Sequence, residues 1–239
     1  MGLKAQVGHW LFPRVAPSRH VLEHLRLEYN AFLVRSRRCW NLSYRSQLRQ
    51  LAKRDDILAN IGCGPFGLPG WVNLDLHQHR GVTLPYDCRR HLPFRNGSCR
   101  GIHVEHFFEH LEHAHERLPF LRECLRCLAP DGVIRIIVPD AGLYVRAYAE
   151  PGWDALNRLS PGGKLPSDQF EHKMEALNTV FLQGWEHYGG YDFDSLASVL
   201  TQSGFTRIAQ RPWREGTFPG GCIDRENHRA YSLYIEAQR

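Results

Sequence analysis

The chain has 239 residues, 43% of them hydrophobic and 23% charged, with a formal net charge of +5. That length suits one α/β domain with an appendage and supplies a full core, which excludes a disordered chain. No run of about 18 apolar residues offers a transmembrane helix.

The opening, "MGLKAQVGHWLFPRVAPSRH", lacks a continuous apolar stretch with a small-residue cleavage site, so no secretory signal is expected and a cytoplasmic location is. Gln6 stands where myristoylation wants Ser or Thr. After Pro13 and Pro17, residues 18–53 predict helix: Val21, Leu22, Leu25, Tyr29, Phe32 and Leu33 recur at helical spacing and would pack one face. This predicts a helical extension over residues 1–54 and a main domain over 55–239. The later part, "VRSRRCWNLSYRSQLRQLAKR", is the clearest basic region. It reads as a solvated helical face, or as a surface for phosphate or membrane.

"DILANIG", "GWVNLDL", "GVTLPYD" and "GIHVE" predict four strands, the third weakened or placed near an edge by Pro85. "EHFFEHLEHAHERLPFLRECLRCLAP" predicts helix with a kink at Pro119. "DGVIRIIVPD" predicts a central strand covered on both faces. Residues 141–190 break the rhythm and predict an inserted cap with a helix across "DQFEHKMEALNTVFLQ". "DFDSLASVLTQSGF" predicts a helix with Asp192 or Asp194 near its start and Gly204 as its stop. "FTRIAQRPW" and "AYSLYIEAQ" predict two late strands, and the alternation implies a mostly parallel sheet. The seven cysteines are scattered; Cys124 and Cys127 form a C-x-x-C without a second pair, so they read as thiols in a reduced compartment rather than zinc ligands.

Between the first two strands lies a literal G-x-G-x-x-G at Gly62, Gly64 and Gly67. Glycines after a strand let backbone N–H groups approach a polar ligand. A nicotinamide site then needs a full helix, another strand and an acid about 20 residues on. Here Asp75 follows Gly62 by only thirteen residues, with Pro69 and Gly70 between them, so a helix does not fit. The third glycine is assigned to the connecting turn. Asp75 and Asp87 close the second and third strands, where open α/β sheets bind ligands. Glycines near an amino-acid tail, Asp75 on a ribose and Asp87 near adenine suit S-adenosylmethionine.

"NIGCG", "GWVNLD", "LPYDCRRHLPFRNGSCRGIHVEHFFEHL", "FLRECLRCLAPDGVIRIIVPD" and "SLASVLTQSGF" together resemble a class I S-adenosylmethionine-dependent methyltransferase, over about residues 57–239. The closest likeness is to small bacterial members with "NIGCG…GWxNxD" and "H-x-x-E-H-L" segments. The resemblance implies a Rossmann-like, doubly wound α/β sheet of seven mostly parallel strands with helices on both faces. It implies S-adenosyl-L-methionine as cofactor, held by Asn60, Gly62, Cys63, Gly64, Asp75, Asp87, Cys88 and Glu105. Two departures stand out: Asn60 replaces the acid many members carry before the glycines, and the loop between the first two strands is short.

"HVEHFFEHLEHAHE" adds His103, His106, His110, His113 and His115. "HFFEH" has the H-x-x-E-H pattern of some zinc peptidases, and on a helix His106 and His110 would lie one turn apart. A peptidase leaves the strand-end acids unexplained, so no metal is expected. His113 and His115 are expected to face solvent. The candidate catalytic residues are His106 and Glu105 beside the methyl donor, and His187 after the insert. Tyr144 and Tyr148 are read either as acceptor-pocket residues or as ordinary packing. Trp153, Phe170, Phe181 and Trp185 in the insert favour an aromatic, sugar or lipid-like acceptor. The expected activity is methyl transfer to oxygen or nitrogen of a small molecule, glycan or lipid-like substrate. The alternatives are an RNA methyltransferase and a non-catalytic S-adenosylmethionine-binding partner protein; oligomeric state is left open.

Overall fold

Alternation of apolar and polar side chains along the buried strands gives the sheet two unlike faces. The structure, a computed structural model, describes residues 18–160 and 165–239; Pro13 and Pro17 lie outside them. Seven strands form one sheet: β1 (Ile57–Ile61), β2 (Val72–Asp75), β3 (Leu84–Pro85), β4 (Cys99–Glu105), β5 (Leu128–Pro139), β6 (Thr206–Gln210) and β7 (Ser232–Gln238). Their order is β3-β2-β1-β4-β5-β7-β6. The pairs from β3 to β5 are parallel, and β7 enters antiparallel between β5 and β6. This is the predicted mostly parallel sheet, with β3 short and at the edge, as Pro85 required.

On one face Ile57, Ala59 and Ile61 of β1, Ile102 and Val104 of β4, and Ile134, Ile136 and Val138 of β5 make the core. Helix α1 (Arg19–Trp40) leads into α2 (Leu42–Leu51), and the core is closed by Tyr44 and Leu51 of α2, then by α3 (Arg117–Cys127) and, later in the chain, Leu196, Val199 and Leu200. The intervening residues of the same strands, Asn60, His103, Glu105, Arg135 and Glu236, are buried and polar. Around them the resemblance implied helices; residues 211–228 lie there instead, without a helix longer than the single turn Glu226–His228. Arg135, fully buried, bonds Asp224 through Nε at 2.7 Å, Glu236 through a terminal nitrogen at 2.9 Å, and the Glu215 carbonyl at 3.1 Å. Glu236 also accepts from the backbone and hydroxyl of Thr217. Phe218 stacks on Trp71 with ring centroids 5.7 Å apart.

The insert after β5 holds α4 (Ala141–Ala149), α5 (Asp154–Arg158), α6 (Pro166–Gln169) and α7 (Lys173–Leu182), so the single helix expected across "DQFEHKMEALNTVFLQ" breaks at Phe170. Then α8 (Phe193–Gln202) starts at an Asp192 cap whose carboxylate accepts the Ser195 N–H at 3.0 Å; Asp194 is not the cap.

Three expectations are corrected. The apolar stripe on α1 does not pack: Tyr29 is 61% and Phe32 59% exposed, while Ala31 and Val34 form the buried face. Helix α1 is anchored by polar contacts rather than by that stripe. "HFFEH" is not on an α-helix, because His106 takes φ 53° and only Phe108–His110 make a 3-10 turn. Pro119 does not kink α3, since it sits in the helix's first turn, where its missing N–H is no loss. Among the described residues no helix is long and apolar enough to cross a membrane.

Candidate functional site

The parallel strands deliver their carboxyl ends to one edge, and there a cavity of about 540 Å³ opens. Gly62, Asp75, Asp87 and Cys88 line one side; His106, Phe107 and His110 line another. Helix α1 roofs it with Leu27 and Asn30, and the end of the insert closes it with Glu186 and Tyr188. Gly62 of the predicted cofactor loop and His106 and His110 of the histidine cluster therefore share one chamber.

Gly62 has φ 65°, and a Cβ on it would meet the Phe107 ring at 2.4 Å, so only glycine turns the chain here. Gly67 packs against the Gly81 backbone and belongs to the connecting turn, as expected. No helix follows β1. Two buried asparagines do the work of one: Asn60 Nδ2 donates to the Phe66 carbonyl at 3.2 Å and to Asn73 Oδ1 at 3.1 Å. Asn73 in turn accepts the Leu68 N–H at 2.8 Å and donates to the Leu68 carbonyl at 2.9 Å. Asn60 is thus committed to the loop and does not line the large cavity.

Asp75 accepts the Gly64 N–H on Oδ2 and the His77 N–H on Oδ1, each at 2.8 Å. Each oxygen keeps a lone pair, so a carboxylate on the cavity wall remains able to accept two ribose hydroxyls. Asp87 differs. Arg35 reaches Oδ2 at 2.7 Å, and the Arg89 guanidinium forks onto both oxygens at 2.9 and 3.1 Å. Burial pushes its pKa up, but Arg89 and then Arg35 outweigh this and hold the carboxyl below its ordinary value. The carboxylate expected to meet adenine is therefore the anchor of helix α1. Cys63 and Cys88 are buried and burial pushes both thiols up, Cys63 to about 12, so neither is a nucleophile.

Glu105, a candidate catalytic residue, is paired rather than free. It accepts from the Arg225 N–H at 3.1 Å and from His228 Nδ1 at 2.9 Å, and the Arg225 Nε lies 2.9 Å from it. Burial opposes its charge, yet His103, His228 and Arg225 hold the carboxyl far below the ordinary range. It lines a smaller space of about 40 Å³ together with Asn60, Gly62, Cys63 and Arg225, and Gly62 is common to that space and the large cavity. The groups that capture it come from residues 225–228, well over a hundred positions away, which no local pattern around "HVEH" announces. Arg225 and His228 are the residues the sequence reading missed.

His106 does reach the cavity. Its left-handed backbone turns the ring inward, with Nε2 at 2.9 Å from Ser232 Oγ and Nδ1 at 3.2 Å from Glu109 Oε1. The insert is stitched to the 3-10 turn: Tyr188 N–H donates to the Glu109 carbonyl at 2.9 Å, and His110 Nδ1 meets the Glu186 carbonyl at 3.0 Å. This sets His187 behind His110, ring centroids 4.8 Å apart, but off the cavity wall. His113 is not solvated as expected: it packs against Tyr191 and Gly189, and burial lowers its pKa, whereas His115 is exposed. Tyr144 is buried in the insert's own core, where Trp153, Phe170 and Phe181 also pack, and Tyr148 stacks under Lys173. None of these lines the cavity, so they say nothing about the acceptor; the side chain of Trp185 lies outside what the structure describes.

Residues 74–136 match the family model described as a methyltransferase domain. No curated protein matches the chain. Among solved structures, the chain is similar to a SAM dependent methyltransferase from Archaeoglobus fulgidus, at 13% identity over 85% of this chain and 97% of that one, TM-score 0.45. It is also similar to Burkholderia thailandensis 1,6-didemethyltoxoflavin-N1-methyltransferase, solved with 1,6-didemethyltoxoflavin and S-adenosylhomocysteine, at 14% identity over 94% and 92%, TM-score 0.47. A third is a SAM dependent methyltransferase from Aquifex aeolicus, at 15% identity over 88% and 97%, TM-score 0.42. Likenesses this distant bear no weight of their own; the matched segment runs from β2 into β5, through the strand ends that build the cavity. That segment is similar to a methyltransferase domain, and the strand order and the glycine turn facing Asp75 agree with the class I S-adenosylmethionine-dependent methyltransferase resemblance of the sequence.

Proposed function

We propose that the enzyme methylates an oxygen or nitrogen of a small-molecule, glycan or lipid-like acceptor bound against His106 and His110. The observation that carries this is the single cavity joining Asp75 and Gly62 to those histidines. S-adenosylmethionine supplies an activated methyl group on its sulfonium. The protein's task is then to align the acceptor and exclude water. Asp75 holds the ribose with its two free lone pairs, and the turn at Gly62 leaves room for the amino-acid tail. Tyr188 and Glu186 wall off the acceptor end, and α1 roofs the chamber. His106 orients an acceptor hydroxyl and takes its proton on Nε2 once the Ser232 hydroxyl rotates away; Glu109 steadies the far nitrogen.

The nucleic-acid alternative loses part of its support. In the basic segment, Arg35 is spent on Asp87, and Arg38 on the Tyr86 hydroxyl and ring. A methyl-transfer assay with labelled cofactor, run over small-molecule, glycan, lipid and RNA pools, tests the reading. Label entering a small molecule or glycan supports it, and label entering RNA alone overturns the acceptor class. No transfer to any pool by a protein that binds S-adenosylhomocysteine would favour a non-catalytic partner role.

A further inference from the structure

Glu109 is 1% exposed; its Oε1 has only the His106 Nδ1 contact at 3.2 Å, and its Oε2 has no hydrogen-bond partner. Leaving a carboxylate so placed costs several kcal/mol unless a cation answers it. Beside it His187, 6% exposed, directs Nδ1 to the Val180 carbonyl at 2.7 Å, while its buried Nε2 has no partner. His110 repeats the arrangement, Nδ1 facing the Glu186 carbonyl at 3.0 Å. Donation of Nδ1–H to a backbone carbonyl fixes the tautomer in which Nε2 carries the lone pair, the state a metal ligand needs. One ligand atom from each of Glu109, His110 and His187 lies within 4.8 Å of the others. Bonds of about 2.0–2.2 Å to a shared tetrahedral ion place ligand atoms about 3.4 Å apart, so small side-chain rotations complete the set.

We propose that Glu109, His110 and His187 form a binding site for a divalent transition-metal ion, zinc foremost, at the wall of the acceptor end of the cavity. Two imidazoles and one carboxylate suit zinc with an open position and disfavour calcium or magnesium, which seek oxygen donors. Glu109 and His187 are buried behind the wall, whereas His110 is part of it, so the open position faces the chamber. An acceptor oxygen is the ligand that position would take. This last step rests on the methyl-transfer reading; the metal site itself does not. The residues differ from the pair that "HFFEH" suggests: His106 touches Glu109 through Nδ1 but is not among the residues whose ligand atoms converge, and the third ligand arrives from the far end of the insert.

The test uses the full chain, stripped with a chelator and titrated with Zn²⁺ against a chromophoric competitor, then with Co²⁺ for its ligand-field absorption. One ion per chain is expected. Glu109→Gln and His187→Gln should each weaken zinc binding by more than about 100-fold, beyond the 10–100-fold that loss of an outer partner costs, while His115→Ala leaves it unchanged. Thermal stabilisation by S-adenosylhomocysteine, read on every variant, reports folding and the cofactor site separately. A protein that responds to S-adenosylhomocysteine but binds neither metal overturns the metal site and leaves the methyltransferase reading standing. Zinc held equally well by Glu109→Gln, and lost instead in His77→Ala, would move the ion to the Asp75, His77 and His79 cluster and overturn this assignment.

Discussion

Asp75 and Asp87 are the same residue type at adjacent strand ends, and their partners divide their work. Asp75 meets two backbone N–H groups and retains acceptor capacity toward the cavity; Asp87 is consumed by two guanidinium groups. Asp75→Ala removes two hydrogen bonds to a charged acceptor, each typically worth about 1.5–3 kcal/mol. Calorimetric affinity for S-adenosylhomocysteine is expected to fall at least about tenfold in a folded variant, and an unchanged value would place the ribose elsewhere. His106→Ala should spare that affinity and cut turnover by about 10²–10⁴-fold. Full turnover in that variant would remove the base role. The cysteines differ by exposure alone: Cys39 is exposed, whereas Cys63, Cys88, Cys99, Cys124 and Cys127 are buried. A maleimide probe on native protein is expected to label Cys39 first and to leave the C-x-x-C pair unmodified, as its thiols lie in the core with pKa pushed up by burial.

At the scale of elements, helix α1 is a roof held by charge. Its apolar stripe faces out, and it is fastened through Arg35 to Asp87 and through Arg38 to Tyr86, while Arg35 also pairs with Glu28 of the same helix. Glu28 in turn reaches Arg89. Helical periodicity in this segment reported a helix correctly and its buried face wrongly, because the stripe's partner is not in the main core. Arg35→Ala should speed hydrogen exchange along α1 well above its native rate while the amides of β1, β4 and β5 stay protected, since local opening need not involve the sheet. Uniform loss of protection across the sheet would show that α1 is integral to the fold. The connection between β1 and β2 makes the complementary point. Pro69, Gly70 and thirteen residues of spacing forbade a helix, and the Asn60–Asn73 pair supplies the hydrogen bonds a helix would have made for itself.

For the whole molecule, the second face of the sheet is closed by charge as well. Arg135, Asp224 and Glu236 tie residues 211–224 to β5 and β7, and Glu105 ties Arg225 and His228 to the end of β4. Arg135→Met strands two buried carboxylates and is expected to cost about 3–5 kcal/mol in denaturant unfolding. Glu105 and Glu236 both have folded pKa values below the ordinary 4.5, so they bind protons more weakly folded than unfolded. Their contribution is complete above that value and is lost as pH falls through it toward the folded values. The buried His228, whose pKa is lowered, adds in the same sense as pH drops below the ordinary imidazole value of 6.5. Tm should therefore fall on acidification from pH 7 to pH 4, and fall less steeply in Arg135→Met. A flat wild-type profile would mean these groups keep their ordinary pKa values in the folded state.

The sequence by itself determined the strands, their mostly parallel sheet, the glycine turn and the strand-end acid, because each is encoded within a few neighbouring residues. Apolar runs of strand length, a φ that only glycine tolerates and a fixed glycine-to-acid spacing act locally. What only the tertiary structure decided is which polar groups are free. Glu105, Asn60 and Asp87 have the right residue types at the right strand ends, and each is neutralised or tied by Arg225 and His228, by Asn73, or by Arg35 and Arg89. Glu109, His110 and His187 converge only because the insert returns along the 3-10 turn after β4. Hydrogen bonds and charges act through space over a few ångströms, so the fate of a side chain depends on whichever distant segment the fold lays beside it.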